Sequence, residues 1–219
     1  MSSPGDPLAP GGLQFPLSLG LRESAALIGA YRWAEHNLYL LAGSWVQDTD
    51  DPEVRLHLDL VSGEHGWHAE LWEDRLPVLD GVDREALSRP GPALEAACAS
   101  VPVILESVSG EHPATSATVL RLAALYRFLI PRLVATYDYH LGNAVPATDG
   151  PTIRILRMVL RDEVESWQTG ERLLQTALRT PAAVSAAGAV QVGLESVVAA
   201  AGVAPGLVPW PVRPPEEAA

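Results

Sequence analysis

Apolar residues recur at helical spacing along most of the chain, and the alternation of period two that marks β-strands is missing. The pattern predicts an all-α fold built on four long amphipathic helices. Their expected ranges are 21 or 24 to 46, 52–76, 113–141 and 151–180.

The connections between these helices predict how they are arranged. A short polar segment, 47–51, separates the first two helices, and Asp51 followed by Pro52 is a strong helix start. Such a short connection predicts an antiparallel hairpin. The last two helices are separated by a loop at 142–150, and we expect Pro131 to kink the third helix. The Pro- and Gly-punctuated segment 77–112, with a short helix near 93–107, is long enough to cross from one end of a bundle to the other.

The C-terminal part of the chain extends this bundle. An Ala-rich segment at 182–202 predicts a further packed helix, and the Pro-rich tail beyond it is expected to be irregular, with Val208 and Trp210 packed against the core. We therefore predict one domain over 1–219. The bundle occupies about 21–180, and the C-terminal helix and tail occupy 181–219.

Composition narrows the classes of function. The formal net charge of −12 argues against nucleic acid and anionic membrane surfaces as partners. All basic residues are arginine, which excludes Schiff-base chemistry on a lysine and a P-loop nucleotide site. One cysteine, Cys98, allows no intrachain disulfide and lies among small apolar neighbours, where we expect a buried thiol. With no signal peptide or membrane span recognised, the predicted location is cytoplasmic.

The strongest chemical signal is the segment 57–68, which contains three histidines and a glutamate. On a helix, where each residue advances by about 100°, His57, Glu64 and His68 fall within about 40° of one another and near the middle of the apolar arc. Polar groups that point into a core are costly unless they are hydrogen-bonded, paired or bound to a metal. The segment therefore predicts either a site or an unusual polar core.

Two further glutamates are predicted to point inward. Glu35 lies in the apolar arc of the first helix, and Glu163 shares an arc with the apolar residues of the fourth, whereas Asp162 and Glu165 are expected to be solvated. Glu35 and Glu64 are almost equally far from the middle of the first connection. At about 1.5 Å rise per residue, they are expected at nearly one level of the hairpin.

Together these features resemble the ferritin-like carboxylate proteins, whose di-iron or di-manganese pattern is a Glu from each of two helices and Glu-x-x-His from each of the other two. Glu35 matches the first of these positions, and Glu64 and Glu163 match glutamates of the second and fourth helices. Trp67 and Ser166 stand where the family has histidine. The third helix offers no inward carboxylate.

The resemblance implies a ferritin-like four-helix bundle, two antiparallel hairpins joined by a long crossover, that holds iron or manganese. The ligand pool that it implies is Glu35, Glu64, His65, His68 and Glu163. His57 is expected to line the pocket or support a ligand, whereas His140 is expected to be a core or capping residue.

Two functions remain open at this point. The first is a metal-dependent oxidase or oxygenase acting on a small molecule, with Glu64, His68 and Tyr31 as catalytic groups. The alternative is a metal-free bundle that uses its polar cavity for small-molecule binding, for acid/base chemistry or for protein assembly. The expected partners are a small-molecule substrate and a second copy of the chain.

Overall fold

The computed structural model describes residues 19–78, 80–201 and 208, and every regular element among them is helical. The predicted all-α class is confirmed. The elements, in chain order, are α1 (Leu21–Val46), α2 (Pro52–Arg75), α3 (Arg84–Leu87), α4 (Pro92–Glu111), α5 (Ala117–Ala124), a π-helical turn (Leu125–Leu129), α6 (Ile130–Asn143), α7 (Pro146–Ala177) and α8 (Pro181–Ala200).

Helices α1 and α2 form the closely packed hairpin that the short connection predicts. The Asp51 carboxylate caps α2 by accepting two backbone N–H bonds, at 2.9 and 3.2 Å. Small residues let the two helices approach. A Cβ on Gly43 would lie 2.9 Å from the Ser62 hydroxyl oxygen, which donates to the Tyr39 carbonyl at 2.9 Å. This close approach brings the inner face of α2 against α1.

A π-helical turn comes just before Pro131, the position at which the sequence predicts a kink. The Ile130 N–H donates to the Leu125 carbonyl, five residues back instead of four. The Tyr126 carbonyl would next bond the nitrogen of Pro131, but proline has no N–H to donate. The Trp167 indole of α7 donates to that carbonyl at 2.8 Å instead. This bond links the irregular turn to α7, and π-helical turns are frequent at functional sites.

Three predicted boundaries were wrong. Helix α4 is longer than the expected 93–107, and the third long helix begins at Ala117 instead of Pro113. Helix α7 begins at Pro146 instead of Pro151. The Asp149 carboxylate accepts from the Val145 N–H at 2.8 Å and so stabilises the first turn of the helix. The predicted loop at 142–150 therefore shortens to two residues, 144–145.

The C-terminal helix α8 is confirmed, and it packs on α4 and α5. Its inner face is lined by alanines such as Ala186 and Ala187, which are fully buried. Val208 is buried as predicted, whereas Trp210 lies outside the described residues. By length and composition alone, α4 and α8 are also long and apolar enough to cross a membrane.

The core extends over α1, α2 and the elements from α4 to α8, and it is built mainly from leucine, valine, alanine and aromatic side chains. Burial of each large apolar side chain stabilises the fold by about 1.5–3 kcal/mol. Ionisable side chains in such a core are expensive unless they are paired. Those that lie there are concentrated where α1, α2 and α7 meet.

Candidate metal centre

Four ionisable side chains from three helices meet inside the core. Glu35 comes from α1, His65 and His68 from α2, and Glu163 from α7. Each residue offers one ligand atom, and these four atoms lie within 4.8 Å of one another. All four side chains are buried. Carboxylate oxygens and imidazole nitrogens are common ligands of first-row metal ions. We call these residues the Glu/His quartet.

Both imidazoles of the quartet direct Nδ1 toward the two carboxylates. His65 Nδ1 is 2.6 Å from Glu35 Oε2 and 3.2 Å from Glu163 Oε1. His68 Nδ1 is 3.3 Å from Glu163 Oε1 and 3.6 Å from Glu35 Oε2. The two histidines are three residues apart on α2 and therefore share one face of that helix.

Two further residues hold the quartet from outside. The Tyr137 hydroxyl of α6 donates to Glu35 Oε1 at 2.5 Å. His68 Nε2 donates to Asp162 Oδ2 at 3.3 Å, so Asp162, which was predicted to be solvated, is partly exposed and also contacts the quartet. A carboxylate or carbonyl on the far nitrogen of a histidine fixes its orientation for metal binding. Helix α6, part of the predicted third long helix, has no inward carboxylate and contributes the Tyr137 phenol to the site instead.

The quartet also contains atoms with unmet bonding capacity. Among the described residues, His65 Nε2 and Glu163 Oε2 are buried without a hydrogen-bond partner. A buried polar atom left unpaired costs about 1–3 kcal/mol. A metal ion in the quartet could bond Glu163 Oε2, whereas His65 Nε2, on the other side of its ring from the carboxylates, would need an ordered water.

The electrostatics of the quartet are dominated by mutual pairing. Burial alone would raise the pKa of Glu35, but the His68 charge and the hydrogen bond from His65 outweigh it and lower this pKa to about 2. Burial would lower the histidine pKa values. The charge of Glu163 reverses this for His65, whose pKa rises to about 10, and the charge of Glu35 does so for His68, whose pKa rises to about 11. At neutral pH the quartet therefore pairs two imidazolium ions with two carboxylates.

The structure does not place Glu64 in the quartet. This residue is half-buried at the edge of the group, where burial raises the pKa of its carboxyl and the nearby Asp162 and Glu163 add to the rise. His65, about 100° further round the helix, occupies the central position instead. The assignment of Glu64 as a direct ligand of this group is thus not supported, whereas Glu35, His65, His68 and Glu163 are brought together.

Tyr31, expected to be catalytic, lies one layer behind the quartet. Its hydroxyl is 3.0 Å from His140 Nδ1, and its ring meets the Tyr137 ring edge to face, with centroids 4.9 Å apart. Tyr137 therefore contacts both Tyr31 and Glu35. His140 is buried, in agreement with its predicted place in the core.

His57 faces a different environment on the same helix. The Tyr126 hydroxyl is hydrogen-bonded to His57 Nε2 at 2.7 Å. Burial, and after it the charge of Arg172, lowers the pKa of His57 to about 4. Gly170 is required beside this pair, since a Cβ there would lie 2.2 Å from the Tyr126 ring. His57 is thus a neutral core residue outside the quartet.

Cys98 is mostly buried, and burial raises the pKa of its thiol to about 12. A thiol with so high a pKa is a poor nucleophile at neutral pH. The predicted buried and unreactive thiol agrees with this environment.

The chain matches no protein-family model, no curated protein and no solved structure. The resemblance to ferritin-like carboxylate proteins therefore depends on the helices and on the side chains of the quartet, and it stays a prediction.

Proposed function

We propose that the protein binds one divalent iron or manganese ion through Glu35, His65, His68 and Glu163 and uses it as an oxidoreductase acting on a small molecule. In this proposal the helices form a ferritin-like bundle with an altered ligand set. The observation that carries the proposal is the quartet itself, because its four ligand atoms lie within 4.8 Å of one another inside an apolar core.

Charge balance favours a single metal ion. Two imidazolium ions and two carboxylates have no net charge, and a divalent ion with two neutral imidazoles and two carboxylates has none either. Exchange of two protons for one divalent ion therefore leaves the charge of the buried site unchanged. A second divalent ion would add two uncompensated charges to the core, which is strongly unfavourable.

The residues around the quartet support the same proposal. Asp162 accepts from the outer nitrogen of His68, and Tyr137 donates to the outer oxygen of Glu35. Such contacts fix the orientation of metal-binding side chains and typically change metal affinity by about 10- to 100-fold. A group that served only to pack helices would not need these contacts on the far sides of His68 and Glu35.

The donor set is appropriate for redox chemistry. Two imidazoles with carboxylate oxygens suit non-haem iron or manganese, which would supply the oxidising step with a small-molecule substrate. Glu64 lies beside the quartet with a raised pKa, and Asp162 is partly exposed on the same side. We assign Glu64 the role of exchanging protons with a substrate that approaches from this side.

A second candidate is a metal-free polar core. It is favoured by the 2.6 Å contact between His65 Nδ1 and Glu35 Oε2, because the quartet is already charge-neutral through its own ion pairs. Such a network would specify helix packing or serve acid/base chemistry in a polar cavity. Unlike the metal site, it leaves Glu163 Oε2 unpaired.

Metal content distinguishes the two candidates. The protein is purified without chelators, reconstituted with ferrous iron or Mn(II) under anaerobic conditions, and measured by elemental analysis and equilibrium dialysis. We expect one ion per chain and a higher Tm, with loss of the ion in Glu163→Gln. Glu165→Gln is the matched control on the same helix, because Glu165 is exposed and pairs with Arg161. No bound metal and an unchanged Tm would favour the metal-free core.

A further inference from the structure

Three aromatic side chains form a continuous cluster behind the quartet. The ring centroids of Tyr31 and Tyr137 are 4.9 Å apart, those of Tyr31 and Trp72 are 5.2 Å apart, and those of Trp72 and Tyr137 are 5.8 Å apart. All three residues are 0% exposed. We call Tyr31, Trp72 and Tyr137 the aromatic triad. Rings in direct contact and shielded from water allow fast electron transfer from one to the next.

Each tyrosine of the triad has a proton acceptor on its hydroxyl. Tyr137 donates to Glu35 Oε1 at 2.5 Å, and the Tyr31 hydroxyl is 3.0 Å from His140 Nδ1. These distances match or fall just below the range of about 2.6–3.2 Å in which a positioned base takes up a proton. A phenol that loses an electron becomes strongly acidic, so an acceptor already in place makes its oxidation easier.

For proton transfer from Tyr31 to His140, the phenol must be protonated and the imidazole must be neutral. Burial, only partly opposed by the charge of Asp149, lowers the pKa of His140 to about 4, so this imidazole is neutral at neutral pH. Burial also raises the pKa of Tyr31 well above its usual value, which keeps the phenol protonated. A neutral imidazole can therefore receive the phenolic proton when Tyr31 is oxidised.

We propose that the aromatic triad and His140 form a redox relay that carries one oxidising equivalent at a time between the quartet and the end of α6. The relay rests on the proposed function, because that function supplies its oxidant. We assign this oxidant to the class of peroxides. Its own transfer steps require no metal and can be tested without one.

The steps balance as follows. Tyr137 gives one electron to the oxidant and its proton to Glu35. The Tyr137 radical then recovers an electron from Tyr31 and its own proton from Glu35, while the Tyr31 proton moves to His140 Nδ1. The result is a Tyr31 radical, a protonated His140 and an oxidant reduced by one electron. A reducing small molecule at the end of α6 then gives an electron to the Tyr31 radical, which takes its proton back from His140. Two such turns oxidise the donor by two electrons and convert one hydrogen peroxide, with two protons, into two waters.

The first test uses metal-free protein and pulse radiolysis. Azide radicals remove one electron from tryptophan, which then releases a proton, and the resulting tryptophan radical takes an electron and a proton from tyrosine within the same chain. We expect a tyrosyl radical in the unaltered protein and loss of most of that signal in Tyr31→Phe. The matched controls Tyr39→Phe and Tyr139→Phe alter exposed tyrosines and should retain the signal.

A second variant separates redox participation from packing. In His140→Gln the amide oxygen accepts a hydrogen bond but is too weak a base to take the Tyr31 proton. We expect a solvent deuterium isotope effect on radical formation at Tyr31 in the unaltered protein, and in this variant slower radical formation without that effect. A purely structural Tyr31–His140 contact would leave both the rate and the isotope effect unchanged.

The second test joins the relay to the quartet. Metal-loaded protein is mixed with hydrogen peroxide, frozen and examined by electron paramagnetic resonance. We expect a tyrosyl radical that disappears in Tyr137→Phe. Failure to bind metal would refute the proposed function and leave the radiolysis result standing. The relay itself is overturned if Tyr31→Phe and His140→Gln match the unaltered protein in radiolysis, or if Tyr39→Phe or Tyr139→Phe removes the radical.

Discussion

His57 and His68 lie on the same buried side of α2, yet their protonation differs completely. The pKa of His57 falls to about 4, whereas that of His68 rises to about 11. Burial acts in the same direction on both imidazoles. The difference comes from their partners, because His57 faces the neutral hydroxyl of Tyr126 and His68 faces the carboxylates of Glu35 and Glu163.

This contrast shows which buried histidines are suited to metal binding. Near Tyr126, one hydrogen bond satisfies a neutral imidazole, and no charge needs compensation. Around His68, two imidazoles and two carboxylates hold exchangeable protons that a divalent ion can replace. The sequence of α2 alone does not decide between these outcomes. They depend on the side chain that the π-helical turn places opposite His57 and on those that α1 and α7 place opposite His68.

The same substitution at both histidines gives the largest expected difference. His68→Gln should lower metal affinity by more than the roughly 100-fold that marks the upper range for residues outside the ligand set. His57→Gln should bind one ion as tightly as the unaltered protein, because His57 contacts Tyr126 and not the quartet. Equilibrium dialysis with Mn(II) measures both affinities. Equal losses in the two variants would place the metal elsewhere or make the effect a general one on folding.

The stability of the metal-free protein provides the second contrast. Glu35→Gln leaves the charges of His65 and His68 with one carboxylate fewer, and loss of one partner of a buried ion pair costs about 3–5 kcal/mol. Tyr126→Phe removes a hydrogen bond to a neutral histidine and should cost about 1 kcal/mol. Urea denaturation gives both free energies of unfolding. A cost for Glu35→Gln no larger than that for Tyr126→Phe would argue against charge pairing in the quartet.

Metal affinity should also rise with pH. Because the pKa values of His65 and His68 rise to about 10 and 11, a metal ion must displace two protons at neutral pH. Affinity is then expected to increase by about a hundredfold per pH unit between about pH 6 and 8. Calorimetry in buffers of different ionisation enthalpy counts the protons released. The slope should persist in His57→Gln and would be absent if both quartet histidines were already neutral.

In the metal-free protein, the quartet histidines and His57 are expected to change the folding stability with pH in opposite directions. The raised pKa values of His65 and His68 stabilise the fold fully below pH 6.5, and this contribution is lost as the pH rises through 10 and 11. The lowered pKa of His57 gives a contribution that is present above pH 6.5 and is lost as the pH falls through 4.

The smallest expected effect comes from the partly exposed Asp162. Asp162→Ala removes the acceptor on His68 Nε2 and should weaken metal binding about tenfold, the lower end of the range for such contacts. The same dialysis measurement with Glu165→Ala, a change on the exposed face of α7, should show no loss. A loss of similar size in both variants would indicate only the general effect of surface charge.

The sequence was sufficient to predict the helices and the direction of three site residues. Long apolar repeats and the Asp51–Pro52 start defined α1 and α2, and the apolar arcs directed Glu35, His68 and Glu163 inward as the structure has them. These features are local, because helical phase and capping depend on residues within a few turns.

Helical phase directed Glu64 toward the centre of the site, whereas the structure has His65 there. Phase alone was therefore insufficient at this position. The centre of the buried face of α2 is shifted toward α1, where Ser62 contacts Tyr39 and where Gly66 lies against the Tyr39 ring. Such small residues bury a helix face without adding much apolar character to the sequence. Their clustering at 62, 66 and 69 was the one available signal for the shift.

Other parts of the site depend on contacts between distant helices. The Tyr137–Glu35 and His68–Asp162 bonds join residues about a hundred positions apart in the chain, so no local pattern predicts them. The π-helical turn likewise depends on Trp167 of α7 to bond the carbonyl that Pro131 leaves free.

Anomalous diffraction at the iron edge, from crystals grown with ferrous iron under anaerobic conditions, would locate the proposed metal ion. We expect one peak per chain, within bonding distance of Glu35, His65, His68 and Glu163, with His57 outside its coordination sphere. Two peaks of equal height in the core, or a refined structure whose quartet retains its direct ion pairs with no iron bound, would contradict this expectation.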